Sequence, residues 1–408
     1  MGTKTAIGHL DADCFYVSAE RVRDDFLREK PVGVLGNQGA CVIAKSYEMK
    51  ACGVKTGEPV WEARVKCPEG IYLKRDFRWY ETLSRMMLAV VRECSPRVEY
   101  YSIDEFFFEA LPLRGMSLQE TAQAIRDTIL KRARVPVTVG IARTKTLAKL
   151  ISDSAKPFGA RAILNAEEEQ ELLATLPVTE ISGIASRRAA RLVPYGITTC
   201  LEFAAADRRA IRSLLTVVGE SLWWELNGEP VQPLHTDRPP HKMISRGGSL
   251  GRSTNSPDRL FAWLVRNLER LIEELEYYTV RAGNLEVVLY YKDGRGALGK
   301  APPSVPSDRF DHLLDAATVA FGKAFLPRVH ATRMHLTATD LKWPGSIQLG
   351  LFEMPAPKAE ALAKAKQQVN ERFGRFALRS GATLPLSDIY QDAANGYDIC
   401  DVRGKICF

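Results

Sequence analysis

Short apolar blocks alternate with mixed polar and apolar stretches along the first 174 residues. The apolar blocks predict strands at residues 7–10, 32–35, 41–44, 100–108 and 135–141. Amphipathic stretches predict helices that begin at residue 15 and that span residues 120–132 and 145–153. Because strands alternate with helices, this region is expected to form an α/β sheet layered with helices.

The pattern changes after residue 174. Residues 175–229 contain small helical pieces separated by glycines, with a predicted hairpin of two short helices around Gly183. A proline-rich stretch, 230–240, has the composition of a linker. Beyond it, helices at 260–275 and 310–325 alternate with strands at 285–291 and 333–341, which predicts a small α+β domain. The remainder contains one helical stretch, 358–373, and no obvious core of its own.

Composition narrows the class of protein. Hydrophobic residues make up 46% and charged residues 26% of the chain, as in soluble globular proteins, and no apolar run approaches the length of a membrane span. Asp11 and Asp13 interrupt the apolar N-terminal stretch, so no secretory signal is predicted and the cytoplasm is the expected compartment. The eight cysteines form no CxxC pair, which argues against a disulfide framework or zinc site.

Charge adds only a weak indication. The chain has a net charge of +7, and residues 242–343 contribute +4 of it. A basic segment can contact phosphates, but a solvated surface explains it equally well.

Two groups of acidic residues could bind metal ions. Residues 9–20 read HLDADCFYVSAE, and on a strand Asp11 and Asp13 share one face. Residues 101–110 read YSIDEFFFEA, with Asp104 and Glu105 inside an apolar strand, so one of them should face a buried side. A buried carboxylate without a cation is unfavourable, and a metal shared with Asp11 would remove that penalty. The alternative for each group is a pair of solvated acids.

Two further segments of the N-terminal region contain residues that could bind an anion. Residues 44–57 read AKSYEMKACGVKTG and residues 154–159 read SAKPFG. Tyr47, Lys50 and Lys156 could bind a triphosphate through a hydroxyl and two positive charges. Each of them alone is more often a surface residue.

In order and spacing, these segments resemble the palm and fingers of Y-family (DinB/UmuC-like) translesion DNA polymerases of bacteria. The resemblance is sharp over residues 5–165 and extends through 175–342 by layout. It implies an α/β and α+β multidomain chain with the right-hand polymerase fold. The expected parts are palm and fingers (1–174), a helical thumb with a helix-hairpin-helix (175–229), a linker (230–241), a C-terminal little finger (242–343) and a tail (344–408).

The resemblance also implies roles for individual residues. Asp11, Asp104 and Glu105 would be the catalytic metal ligands for two Mg²⁺ ions (Mn²⁺ being a possible substitute), with the Ala12 carbonyl joining them and Asp13 in support. The substrate-binding residues it implies are Phe15 under the incoming sugar, Tyr16 as the steric gate against a ribose 2′-OH, and Tyr47, Lys50 and Lys156 at the triphosphate. The family more often has Arg where this chain has Lys50.

Three further segments resemble parts of the same family. SGIASRRAARL, around Gly183, resembles the thumb hairpin, which presents backbone N–H groups to phosphates. ISRGGSLGR, 244–252, resembles the first little-finger strand, and by itself could be a Gly-rich loop; its Arg246, Ser249 and Arg252 could bind the template backbone. QLGLF resembles the bacterial sliding-clamp peptide, through Gln348, Leu349, Leu351 and Phe352.

The function implied is DNA-directed DNA synthesis of low fidelity on damaged templates, in DNA repair and the SOS response. The expected partners are primer–template DNA, dNTPs and the sliding clamp, bound by a monomer that does not bind membranes. One alternative is a catalytically inactive family member acting as an adaptor for the clamp and another polymerase; the intact acidic residues argue against it. The other is a nucleotide cyclase, which also uses paired acids on a palm-like sheet but needs neither the hairpin thumb nor the clamp peptide.

Overall fold

The structure is a computed structural model that describes residues 6–36, 41–237, 240–343 and 357–390. It divides into two compact units, with the boundary near residue 238.

The larger sheet of the first unit has the strand order β5-β6-β1-β7-β8. Its central strand, which begins at Ala6, pairs antiparallel with a neighbouring strand on either side. Four helices lie in the same region of the sequence as these strands. The strands are β1 (Ala6–Ala12), β5 (Val98–Tyr100), β6 (Glu105–Ala110), β7 (Val137–Ala142) and β8 (Ala160–Ala162); the helices are α1 (Phe15–Arg23), α4 (Phe77–Cys94), α5 (Leu118–Ala133) and α6 (Lys145–Ser154). The buried central strand places its carboxyl end, which carries Asp11, at the site described below.

A smaller sheet has the order β3-β2-β4. Its strands are β2 (Val32–Leu35), β3 (Val42–Lys45) and β4 (Ile71–Lys74), and two short helices accompany them, α2 (Tyr47–Ala51) and α3 (Val60–Lys66). The Ser46 side chain caps α2 by accepting a hydrogen bond from the Met49 N–H, which fixes the start of this short helix. Met49, Ala63 and Val42 belong to the buried core between this sheet and its two helices.

Four helices complete the first unit: α7 (Ala166–Thr175), α8 (Ser186–Leu192), α9 (Cys200–Ala205) and α10 (Arg208–Leu226). Thr216 interrupts α10 with a φ of 67°. Leu147 and Ile151 of α6 belong to the same hydrophobic core as Phe203 and Leu222 of these helices. The predicted thumb therefore shares its core with the predicted palm.

The side chain of Glu225 reinforces that connection. Its carboxylate accepts hydrogen bonds from the backbone N–H groups of Thr146 at 3.1 Å and of Val231 and Gln232, both at 2.9 Å. Glu225 is fully buried, so this satisfied carboxylate ties the end of α10 and the first linker residues to the start of α6.

The second unit contains a four-stranded antiparallel sheet of order β11-β10-β12-β9. The strands are β9 (Ile244–Thr254), β10 (Arg281–Tyr291), β11 (Gly296–Ala301) and β12 (Ala331–Lys342), and the helices are α11 (Pro257–Tyr277) and α12 (Phe310–Ala324). Leu268, Leu271 and Leu285 are among the fully buried residues of the core between sheet and helices.

The C-terminal segment belongs to this unit. It consists of α13 (Pro357–Phe373), a 3-10 helix (Gly381–Leu386) and α14 (Ser387–Tyr390). Glu269 of α11 pairs with Lys366 at 2.6 Å and accepts a hydrogen bond from the Ser380 N–H at 2.9 Å, while Leu386 joins the hydrophobic core. Residues 357–390 therefore have no separate core, as expected, but they pack onto the core of the second unit.

Two predicted elements differ from the structure. The strand expected over 100–108 is interrupted by a turn, in which the N–H groups of Tyr101 and Ser102 donate to the Glu105 carbonyl at 3.1 and 3.0 Å. Asp104 therefore lies in the turn between β5 and β6, and Glu105 begins β6. In the helical hairpin around Gly183, the first helix is only a 3-10 helix, Val178–Glu180.

Among the described residues, no helix is both long enough and apolar enough to cross a membrane.

Candidate active site

Strand pairing brings two of the predicted acidic residues together. Asp11, near the end of β1, is the register partner of Glu105 on β6. Direct partners on antiparallel strands project to the same face of a sheet. The Ala12 N–H donates to the Asp104 carbonyl at 3.0 Å, so the backbone of the turn is fixed against the end of β1.

Two lysines lie against these carboxylates. Lys156 Nζ is 2.9 Å from Asp11 Oδ1, and Lys149 Nζ is 2.5 Å from Glu105 Oε1. Asp153 also pairs with Lys156, at 2.8 Å. Lys149 and Asp153 were not predicted as site residues, although their spacing of four on an amphipathic helix indicated that they share a face.

Burial changes the protonation behaviour of the acidic residues. It raises the pKa of Asp11 from 3.8 to about 8, against the opposing effect of the Lys156 ammonium group. Burial also raises the pKa of Asp104, although the hydrogen bond from Ser102 opposes the shift. Because burial disfavours the ionised form of both carboxylates, a bound cation would stabilise that ionised form.

One cluster of the described residues could hold a metal ion. Ligand atoms of His9, Asp11 and Glu105 all lie within 4.8 Å of one another, while the Asp104 carboxylate lies outside this group and accepts a hydrogen bond from the Ser102 hydroxyl. Carboxylate oxygens are the ligands that Mg²⁺ prefers, and the raised pKa of Asp11 fits a site completed by a cation.

His9 was not predicted as a site residue. It is fully buried, its Nδ1 lies 2.6 Å from the Ser152 hydroxyl, and its ring packs on Phe107. Burial and the nearby lysines lower its pKa well below 6.5, so the ring is neutral. These contacts fix the His9 ring in the core beside Asp11 and Glu105.

Asp13 is engaged by protein groups. Its carboxylate accepts hydrogen bonds from the Thr138 hydroxyl at 3.0 Å and from the Phe158 N–H at 2.8 Å. These contacts connect the end of β1 to β7 and to the loop that carries Lys156. The supporting role that the resemblance implies for Asp13 stays a prediction.

The two residues predicted to contact the sugar, Phe15 and Tyr16, are the first residues of α1. Phe15 is buried, while Tyr16 is half-buried and stacks on Tyr80 of α4 with ring centroids 4.7 Å apart. Burial, together with the charge of Asp104, raises the pKa of Tyr16, so its hydroxyl stays protonated. Tyr16 is therefore a neutral ring near the acidic residues.

The residues predicted to bind the triphosphate lie in two separate segments of the chain. Tyr47 and Lys50 are both exposed on the short helix α2, and the Tyr47 hydroxyl contacts the Cys14 thiol. Lys156 lies at the carboxylates, as described above. Exposure leaves the Tyr47 and Lys50 side chains accessible to a ligand.

One of the predicted DNA-binding residues is buried in the structure. Arg246 is only 7% exposed and forms an ion pair with the buried Glu274 of α11. A guanidinium group in that position lies on the helix-covered face of β9, so it is unsuited to contact template phosphates.

The other three predicted DNA-binding residues lie at accessible positions. Ser249 and Arg252 are exposed; Ser249 pairs in register with Arg333 of β12, and Arg252 lies in the irregular stretch that follows it. Gly183 occupies a turn with a φ of 94°, which favours glycine. The predicted clamp residues, Gln348, Leu349, Leu351 and Phe352, lie outside the described residues.

Sequence profiles and solved structures agree on the class of protein. The profile of the impB/mucB/samB family matches residues 10–153, and the profile of that family's C-terminal domain matches residues 241–351. A chimeric Y-family DNA polymerase has a similar fold, with a TM-score of 0.68 and 21% identity over 83% of this chain and 99% of that chain. The chain therefore belongs to the impB/mucB/samB family, the DinB/UmuC-like Y-family DNA polymerases of bacteria. The family and fold class expected from the sequence are confirmed.

Individual relatives are similar over nearly their whole length. The chain is 33% identical to DNA polymerase IV 1 of Bacillus subtilis, over 94% of each protein. It is 29% identical to UmuC of Salmonella typhimurium, over 90% of this chain and 91% of that protein.

Proposed function

We propose that this protein is a template-directed DNA polymerase that adds dNTPs to a primer 3′-OH and copies damaged templates. The direct pairing of Asp11 with Glu105, beside the turn that carries Asp104, supports this proposal most strongly. Primer extension by the purified protein, with dNTPs and Mg²⁺ on undamaged and lesion-containing templates, tests it. A protein that extends neither template would act instead as a clamp or polymerase adaptor.

In this reaction the chain's own residues would bind the cations and the phosphates of the incoming nucleotide. Asp11, Asp104, Glu105 and the Ala12 carbonyl would hold two divalent cations, which we take to be Mg²⁺. When bound, these ions lower the pKa of the primer 3′-OH and neutralise charge on the triphosphate. Lys156, Lys50 and Tyr47 would bind the phosphates, with Lys156 leaving its pairing with Asp11 to do so.

Domain roles follow the same assignment. We place palm and fingers at 1–174, the thumb at 175–229, the linker at 230–241 and the little finger at 242–343. Residues 357–390 join the little finger, because they complete its core. Gly183, Ser249 and Arg252 are the proposed contacts to DNA, in a protein that we expect to be a cytoplasmic monomer.

Tyr16→Ala should admit ribonucleotides while deoxynucleotides are still incorporated. The physical reason is steric, since a ring beneath C2′ of the incoming sugar leaves no room for a hydroxyl. Measuring kcat/KM for an rNTP and the matching dNTP should show the discrimination ratio falling by about 100-fold or more, which corresponds to the loss of a steric clash of a few kcal/mol.

Phe26→Ala is a suitable control, because it removes an aromatic ring that is exposed on the segment following α1. Discrimination by the control should equal that of the wild type. An unchanged ratio in an active Tyr16→Ala protein would mean that another residue excludes the ribose hydroxyl.

A double replacement, Leu351→Ala with Phe352→Ala, should abolish stimulation by the bacterial sliding clamp. In the proposed peptide, Gln348 and Leu349 precede these two apolar side chains, which would fill a groove on the clamp. Primer extension with and without clamp loaded on the primer measures the effect, and synthesis without clamp should change little.

Thermal melting separates this role from a structural one. If the two side chains were part of a core, their loss should lower the free energy of unfolding by several kcal/mol. A double variant that melts early, or that the clamp stimulates fully, would contradict a partner-binding peptide.

A further inference from the structure

The ring of Tyr16 is held on two sides by residues of α4. Tyr80 stacks against it with centroids 4.7 Å apart and an angle of 18° between the ring planes. Phe77 meets it edge-on, with centroids 5.7 Å apart and an interplanar angle of 69°. Phe77 and Tyr80 are both buried, so the half-exposed ring of Tyr16 rests on a rigid aromatic base.

Tyr80 is itself fixed by a polar network that begins at the buried carboxylate of Glu20. Its hydroxyl donates to Glu20 Oε1 at 2.6 Å, and Glu20 is also gripped by two nitrogens of Arg23, at 2.9 and 3.0 Å. Arg23 continues the network to Asp76, at 2.8 Å, and Asp76 caps α4. Because Glu20 is buried, a shift of the Tyr80 ring would leave a charged group with one donor fewer.

A second contact joins the same two helices. The Trp79 indole N–H donates to the Ala19 carbonyl at 2.7 Å. Helix α1, which carries Tyr16, and helix α4, which carries Tyr80, are therefore fixed to each other at several points. The stacked pair cannot separate unless these contacts also break.

We infer that Tyr80, fixed by Glu20, is a positioning residue that determines how strongly the polymerase discriminates against ribonucleotides. This inference rests on the proposed role of Tyr16 as the steric gate. A ring excludes a hydroxyl group only if it cannot move aside, and a displacement of about 1 Å is enough to relieve such a clash. Tyr80 prevents that displacement without touching the sugar.

Two substitutions separate the parts of this support. Tyr80→Leu removes the stacking surface, and Tyr80→Phe keeps the ring but removes the hydrogen bond to Glu20. The ratio of kcat/KM for dNTP to that for rNTP should fall about 3- to 10-fold in Tyr80→Leu, the equivalent of one aromatic pair. It should fall by a smaller factor, about twofold, in Tyr80→Phe, and the change should appear mainly as a lower KM for the rNTP.

A buried tyrosine elsewhere provides the matched control. Tyr291, in the second unit, is also buried and donates its hydroxyl hydrogen bond to the Ala324 carbonyl at 2.7 Å. Tyr291→Phe should lower the melting temperature about as much as Tyr80→Phe but leave the discrimination ratio unchanged. A purely structural role for Tyr80 would reduce dNTP and rNTP incorporation equally.

The decisive measurement is made in the Tyr16→Ala background. With no gate ring to support, adding Tyr80→Leu should leave the remaining discrimination unchanged, so the two substitutions should be strongly non-additive. The inference is overturned if active Tyr80→Leu keeps the wild-type ratio, or if its effect is the same with and without the Tyr16 ring. An active Tyr16→Ala protein with unchanged discrimination would overturn the gate and this inference together. If Tyr16→Ala lowers the discrimination ratio as expected but an active Tyr80→Leu protein keeps the wild-type ratio, this inference alone would be overturned.

Discussion

Asp104→Ala is expected to reduce nucleotide addition by about two to four orders of magnitude, since the charge stabilisation supplied by metal ions in phosphoryl transfer is several kcal/mol. The fold should survive, because Asp104 lies in a turn and its described side-chain hydrogen bond is with the neighbouring Ser102. Single-turnover primer extension measures the loss. Circular dichroism and melting temperature check the fold.

Glu109→Gln provides the control for this prediction. Glu109 lies on the same strand, β6, but pairs in register with Ile7 rather than with Asp11. Its replacement should leave the rate of extension nearly unchanged. Metal binding offers a second measurement: added Mg²⁺ should raise the melting temperature of the wild type more than that of Asp104→Ala. Near-normal extension by a folded Asp104→Ala protein would remove Asp104 from the catalytic site.

Leu386→Ala is expected to lower the free energy of unfolding of the second unit by about 2–5 kcal/mol, as is typical for a fully buried leucine. Leu386 is 0% exposed within the core that α11 and the sheet form, although it lies more than 40 residues beyond the last strand. Chemical denaturation followed by tryptophan fluorescence measures the change, since Trp263 belongs to the same core.

Leu384→Ala is a closely matched control, because Leu384 lies in the same 3-10 helix but is 65% exposed. Its replacement should change the free energy of unfolding by less than about 0.5 kcal/mol. Equal effects of the two substitutions would show that residues 381–386 do not contribute to the core.

The sequence predicts best where the local pattern and the tertiary packing agree. Residues 32–35 form β2 with the bounds predicted, because the short run VGVL lies between Pro31 and Gly36, both of which interrupt regular structure. Helix α4 was not predicted, although Phe77, Tyr80, Leu83 and Met87 have helical spacing and are all buried. That signal was available and would have found the residue that supports Tyr16.

Other features depend on contacts far apart in the sequence. No local pattern shows that 3-10 backbone at 381–386 packs onto a helix more than 100 residues earlier, or that Lys149 pairs with Glu105. The burial of Arg246 was not predicted either, although a local pattern indicated it. On a strand it shares a face with Ile244, and that alternation placed it on the buried side of β9.

The buried carboxylate of Glu225 has a consequence for how the first unit unfolds. It joins α10 to the first turn of α6 and to residues 231–232, across a core that both regions share. Elements that share a core and a satisfied buried charge lose their contacts together, so they behave as one cooperative block. Calorimetry should therefore show the proposed palm and the proposed thumb melting in a single transition, and native-state hydrogen exchange should give the amides of α6 and the second half of α10 similar opening free energies.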